Sequence, residues 1–145
     1  MTAAVFDFSF DDTSLQGEVQ GQQADEQHRL AELNTELRDK LVESGCCTIA
    51  DLGIVAEMNV RICNGCDLDL ARKAGAQISV TGWVQKVSNL ILNINLVVRD
   101  VGTGQVISAG SVDLRGNTDE SWTRGLSYLL RNRLHPSEWA SREMP

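Results

Sequence analysis

Four cysteines stand among the 145 residues, and two of them form Cys63-Asn64-Gly65-Cys66 just before a segment that reads as a helix start. A thiolate at a helix N-terminus is stabilised by the peptide dipoles, which is why redox dithiols favour that location. A thioredoxin-like site also sets a cis-proline beside the dithiol. The only prolines here are Pro136 and Pro145, both in the C-terminal tail, which argues against redox catalysis. Zinc needs further ligands. Cys46 and Cys47 would have to supply them, and adjacent cysteines diverge in a strand. A structural disulfide is the favoured reading, and it implies an oxidising compartment. Four cysteines allow three full pairings. Cys63 with Cys66 is the predicted pair, because two intervening residues including Gly65 let the chain bend enough to bring the sulfurs together. The rival is a cross-link from Cys46 or Cys47 to one of this pair.

The other reactive side chains do not converge on a catalytic set. The histidines are His28, on a polar background near a helix start, and His135, beside Pro136. No Gly-x-Ser-x-Gly occurs. Gly102-Thr103-Gly104 reads as a hairpin turn, not a phosphate loop. The carboxylate pairs Asp67 with Asp69 and Asp119 with Glu120 fall at helix starts, where negative charge opposes the dipole. Asp11, Asp12 and Glu18 belong to a polar stretch from 11 to 23 that lacks the regular ligand spacing of a calcium loop. No catalytic residue, metal site or cofactor is assigned.

Several elements frame these residues. Residues 3–10 alternate as a strand, with Ala4, Phe6, Phe8 and Phe10 on one face. Residues 25–43 form a helix with the stripe Leu30, Leu33, Leu37 and Leu41, closed by Gly45. Residues 46–52 form a short strand, and 53–62 are ambiguous. Residues 67–74 form a short helix with Asp67 as N-cap and Gly75 as terminator. A three-strand meander comes next, over 77–87, 89–101 and 105–114. The last helix runs over 118–134, with Trp122, Leu126, Leu129 and Leu130 inward and Asn117 to Glu120 at capping-box spacing. Beyond Pro136 the tail is read as loose.

In the meander Leu90, Leu92, Ile94, Leu96 and Val98 share one face with Ile78, Val80 and Val84. The opposite face would carry Thr81, Trp83, Gln85, Asn93, Asn95, Arg99, Asp113 and Arg115. Trp and Arg are frequent binding hot spots, and Asn offers donors and acceptors. These eight residues are the candidate partner surface. The predicted fold is a two-layer α/β sandwich: a mixed sheet of about five strands, ending in an antiparallel meander, with the long helices on one face. The chain is read as a single domain over 1–145, with an ordered core from about 3 to 135. At this length folding buries roughly 70% of the unfolded chain's surface, enough for a core without metal.

Twenty acidic against thirteen basic residues give a net charge of −7. That is a poor match for nucleic acid or anionic lipid. No stretch approaches the roughly 20 apolar residues of a membrane-spanning helix. No signal peptide is read, since the first residues lead directly into a strand; a mature exported domain looks the same once its leader is removed. A non-enzymatic module that contacts another protein fits these features. The alternative is a small-molecule or metal-binding sensor using Asp11, Asp12, Glu18 and the cysteines.

The runs Asp12-Thr13-Ser14-Leu15, Cys63-Asn64-Gly65-Cys66, Val84 to Asn93 and Arg115 to Trp122 resemble a proteobacterial family known only as a domain of unknown function. The order of elements is similar, more distantly, to the N-terminal domain of TolB, to lipoprotein activators of penicillin-binding proteins and to the curli secretion lipoprotein. Arg72-Lys73-Ala74-Gly75-Ala76 and Asp100-Val101-Gly102-Thr103-Gly104 resemble features of those proteins. The resemblance implies a periplasmic, non-enzymatic accessory module that contacts envelope proteins, in a setting linked to quinoprotein alcohol dehydrogenases. Two departures stand out: no leader or lipobox cysteine is present, and Cys46 and Cys47 are additional to the family pattern.

Overall fold

The computed structural model describes residues 1–15 and 23–143. The N-terminal run departs from simple alternation. It forms β1 (Thr2–Val5) and β2 (Ser9–Asp12), both parallel to the long strand β4 (Ile78–Ser88). Val5 lies opposite Val80 and Ser9 opposite Trp83, so the N-terminal chain spends one residue more than β4 between the two pairings. An extra residue is a bulge, and it switches the faces of the residues beyond it. Ala3 and Val5 therefore share the larger core with Phe8, while Ala4 and Phe6 enter a second cluster. The single face predicted for Ala4, Phe6, Phe8 and Phe10 is corrected by this slip.

The bulge is held by the helix that crosses it. In α1 (Ala24–Glu43), Asn34 Oδ1 accepts from the Phe8 N–H at 2.7 Å. Arg38 Nη2 donates to the Val5 carbonyl at 2.7 Å and to Asp7 Oδ1 at 2.8 Å. Gly82 makes the room, because a Cβ there would run into the Phe8 ring and Leu96.

The remaining strands are β3 (Thr48–Ile49), β5 (Ile91–Asp100) and β6 (Val106–Leu114). The six-stranded mixed sheet runs β3-β1-β4-β5-β6, with β2 on β4 beyond β1. The meander β4-β5-β6 is antiparallel, as its hairpin turns require. On one face, Leu33, Leu37 and Leu41 of α1 and Trp122, Leu126 and Leu129 of α3 (Asp119–Leu129) pack against Val80, Val84, Leu92, Ile94, Leu96 and Val98. This is the predicted sandwich. Leu90 is corrected: it sits in the β4–β5 turn, 82% exposed, because β5 begins only at Ile91. The smaller cluster joins Ala4 and Phe6 to Val60, Ala71, Ala76 and Val101, with Cys63, Cys66 and Leu70 packed on it.

Both predicted caps shift by one or two residues. The short helix α2 (Cys66–Lys73) is entered through Gly65, whose φ of 82° favours glycine. Asp67 thus lies inside the first turn. In α3 the cap is Thr118, whose Oγ1 accepts from the Ser121 N–H at 3.1 Å, which leaves Asn117 free to turn inward. After α3 a π turn (Leu130–Leu134) and a short 3-10 turn (Pro136–Glu138) lead into α4 (Trp139–Glu143). The sequence reading ends the ordered core near 135, yet Trp139 is buried and donates through Nε1 to the Leu134 carbonyl at 2.8 Å.

Candidate interaction surface

The eight candidate residues fall on the sheet face away from the two long helices, but in three different settings. At one end the segment from Val60 to Asp67 folds over Thr81, Trp83 and Arg99 and leaves a hollow of about 330 Å³. The Arg61 guanidinium stacks 4.1 Å from the Trp83 ring centre. Arg99 reaches across the same end: Nε donates to the Gly104 carbonyl at 3.2 Å, and Nη1 to Asp67 Oδ1 at 3.2 Å. Asp67 Oδ2 accepts from Ser79 Oγ at 2.8 Å. Arg99 therefore ties the β5–β6 turn to the start of α2.

The middle of the face is an amide ladder. Gln85 lies opposite Asn93 and Trp83 opposite Asn95. Asn93 Nδ2 donates to Gln85 Oε1 at 3.3 Å, and Asn95 Nδ2 to Asn93 Oδ1 at 2.6 Å. All three side chains are half-buried. Each amide spends part of its capacity on its neighbour and keeps the rest for water or a partner.

At the far end Asp113 and Arg115 are exposed beside the outer edge of the sheet, where they border a separate groove against α3. The structure thus brings Thr81, Trp83, Gln85, Asn93, Asn95 and Arg99 together, places Asp113 directly opposite Asn93 on the neighbouring strand, and leaves Arg115 apart from them beyond the end of β6.

Cys63 and Cys66 stand at disulfide distance, with Cα atoms 5.5 Å apart, and Cys63 lines the hollow. Cys46 and Cys47 are at disulfide distance from each other. The divergence predicted for a strand does not apply to them, because they lie in the turn before β3. Among the described residues no three His, Cys, Asp or Glu side chains are placed to hold a metal. Asp11 and Asp12 belong to β2, opposite Gln85 and Lys86, rather than to an acidic loop. Glu18 lies outside the described residues. No helix among the described residues is long and apolar enough to cross a membrane.

Sequence reasoning missed two contributors. Arg61 carried no signal, since its segment has no clear period. Lys86 did carry one: it is in phase with Val80 and Val84, so the alternation points it into the core. There its Nζ meets Glu26 Oε2 at 2.6 Å, with both side chains out of water. Asn117 Nδ2 donates to the same oxygen at 2.6 Å, and Asn117 Oδ1 accepts from Trp122 Nε1 at 3.1 Å.

None of the curated proteins matches the chain. Among solved structures it is similar to the LpoB C-terminal domain from Salmonella enterica, at 16% identity and a TM-score of 0.59, over 79% of this chain and 82% of that one. It is similar to lipoprotein GNA1162 from Neisseria meningitidis, at 13% identity and a TM-score of 0.54, over 81% of this chain and 82% of that one. It is also similar to TolB from Acinetobacter baumannii, at 14% identity and a TM-score of 0.52, over 99% of this chain but only 28% of that one. At these identities the likeness is one of fold. A family model matches residues 1–134, and the chain belongs to that family, DUF3280, described as a protein of unknown function (DUF2380).

Proposed function

We propose that this chain is a non-enzymatic interaction module of the bacterial cell envelope, working in the periplasm as a single domain. It meets a partner protein through the Trp83, Gln85, Asn93, Asn95 and Arg99 part of its sheet. The observation that carries this reading is the amide ladder of Gln85, Asn93 and Asn95 beside Trp83. Its side chains are half-buried and already aligned by their own hydrogen bonds, so less side-chain freedom is lost on docking. The envelope setting is supported by the fold shared with TolB and a lipoprotein and by the family resemblance. The link to a quinoprotein dehydrogenase system is proposed on the resemblance alone.

Pull-down from envelope extracts tests the surface, with Trp83→Ala and Arg99→Ala compared at matched melting behaviour. Loss of one partner by both variants is expected. Equal recovery of every protein by wild type and variants would reject this face.

A small-molecule sensor is the second reading. The hollow of about 330 Å³ between Arg61, Trp83, Arg99 and Asp67 favours it, since ligand sites begin near that size. Calorimetry with metabolite mixtures, and with calcium and zinc on oxidised and reduced protein, separates the two. Absence of both binding heat and any shift in melting temperature would remove it.

A further inference from the structure

Strand β6 forms one edge of the sheet, so alternate backbone N–H and C=O groups along it face outward. Natural edges are commonly blunted with Lys, Pro or other charges. Val106–Leu114 contains no Lys, Arg or Pro, and its one charged residue is Asp113. The C-terminal segment packs against the start of this strand, where Ser108 Oγ donates to the Leu134 carbonyl at 3.1 Å. The other half, from Ser111 to Leu114, walls an open groove of about 590 Å³ whose far wall is α3.

The groove has a charge opposite to that of the chain. Arg115, Arg124 and Arg133 line it against the single acid Asp113, whereas the whole chain is at −7. Arg124 is paired with Glu120 at 2.6 Å, but both are mostly exposed, and such a pair exchanges readily for another carboxylate. Counting Glu120 as well, the rim stays positive. Tyr128 comes one turn after Arg124, and the Arg133 guanidinium lies 5.9 Å from its ring centre, so a flat aromatic surface sits between two cations.

The geometry points to strand addition: an extended acidic segment of a partner protein pairs with Ser111–Leu114 and sets its carboxylates against Arg115, Arg124 and Arg133. Main-chain bonds to the edge provide attachment, and the arginine forks select the sign. A second copy of this chain is the poorer occupant, because edge-to-edge pairing would bring two arginine sets into one cleft. This surface lies beyond the Trp83–Arg99 end, and a partner on that end is not needed for it.

The test uses blocked octapeptides alternating Val with Glu, the same with Lys for Glu, and the Glu peptide with a central Val replaced by Pro. Amide shifts and hydrogen exchange are read residue by residue on the full chain. The Glu peptide is expected to protect amides in Ser111–Leu114, with the Lys peptide weaker by about tenfold or more and the Pro peptide silent at the edge. Arg115→Glu combined with Arg133→Glu should reverse the preference toward the Lys peptide, which also shows that the variant is folded. Equal binding of both peptides, shifts centred on Trp83 instead, concentration-dependent self-association through β6, or no change at millimolar peptide would each overturn the proposal.

Discussion

On the helix-covered face of the sheet, Glu26 of α1 meets Lys86 of β4 at 2.6 Å, with side-chain exposures of 1% and 0%. On the other face, Asp67 of α2 meets Arg99 of β5 at 3.2 Å, and Arg99 keeps 30% of its side chain in water. The two pairs share a plan. Each carboxylate sits in the first turn of a helix, where the dipole supports it, and each cation rises from a central strand. They differ in what surrounds them. Lys86 enters at a core position, and Asn117 and Trp122 close the network around it. Arg99 lies along an open face, and its fork spans the Gly104 carbonyl and Asp67. A sealed pair can act only on stability. A half-open one can fasten two elements and still face a partner.

Breaking the sealed pair should cost most. Lys86→Met leaves Glu26 charged inside the core, and loss of one partner from a buried pair costs about 3–5 kcal/mol. Urea unfolding should show a lower midpoint at unchanged slope. Adding Glu26→Gln, which still accepts from Asn117, should recover most of the loss; no recovery would mean that Lys86 contributes by something other than charge. Arg99→Ala should cost less, about 1.5–3 kcal/mol, the scale of a hydrogen bond to a charged group, because Ser79 still serves Asp67 and water can enter. If it matches Lys86→Met, the contrast between the faces fails.

The cysteine pair beside Arg99 sharpens the contrast further. A bond between Cys63 and Cys66 closes so short a loop that it restricts the unfolded chain by only about 2 kcal/mol. Non-reducing peptide mapping should recover these two joined. A peptide carrying Cys46 or Cys47 linked to Cys63 or Cys66 would overturn that pairing, and reduction would then lower stability by more. Arg61→Ala should have the smallest effect, about 0.5–1 kcal/mol for an exposed cation–π contact, while changing the fluorescence of Trp83. An unaltered spectrum would show that the stack is not kept in solution.

The period of the meander made β4, β5 and β6 and their two faces legible, and the leucine stripe did the same for α1. The polar face was readable for the same reason: a side-chain period of two leaves no choice of side once one face is apolar. Lys86 shows the limit of reading by residue type rather than by phase. Its position demanded burial, but only a carboxylate from a distant helix makes that tolerable, and the arrival of Glu26 there is a matter of packing.

Local rules also left one-residue ambiguities. Asn117 and Thr118 both suit a helix cap, and Asn117 is taken up by Glu26, Arg29 and Trp122 across the fold. The slip at Phe6–Phe8 is hidden in an unbroken alternation of aromatics. It exists because Gly82 and Arg38, far away in sequence, accept the displaced ring and the displaced carbonyl.

The sequence by itself determined the class of fold, the apolar side of each long element and the absence of a recognisable catalytic motif, because these depend on short-range periodicity and residue chemistry. The tertiary structure alone decided which charges meet, that Arg61 covers Trp83, and that Arg115, Arg124 and Arg133 gather along one sheet edge. Those placements join residues from separate elements, and no local pattern encodes the distance between them.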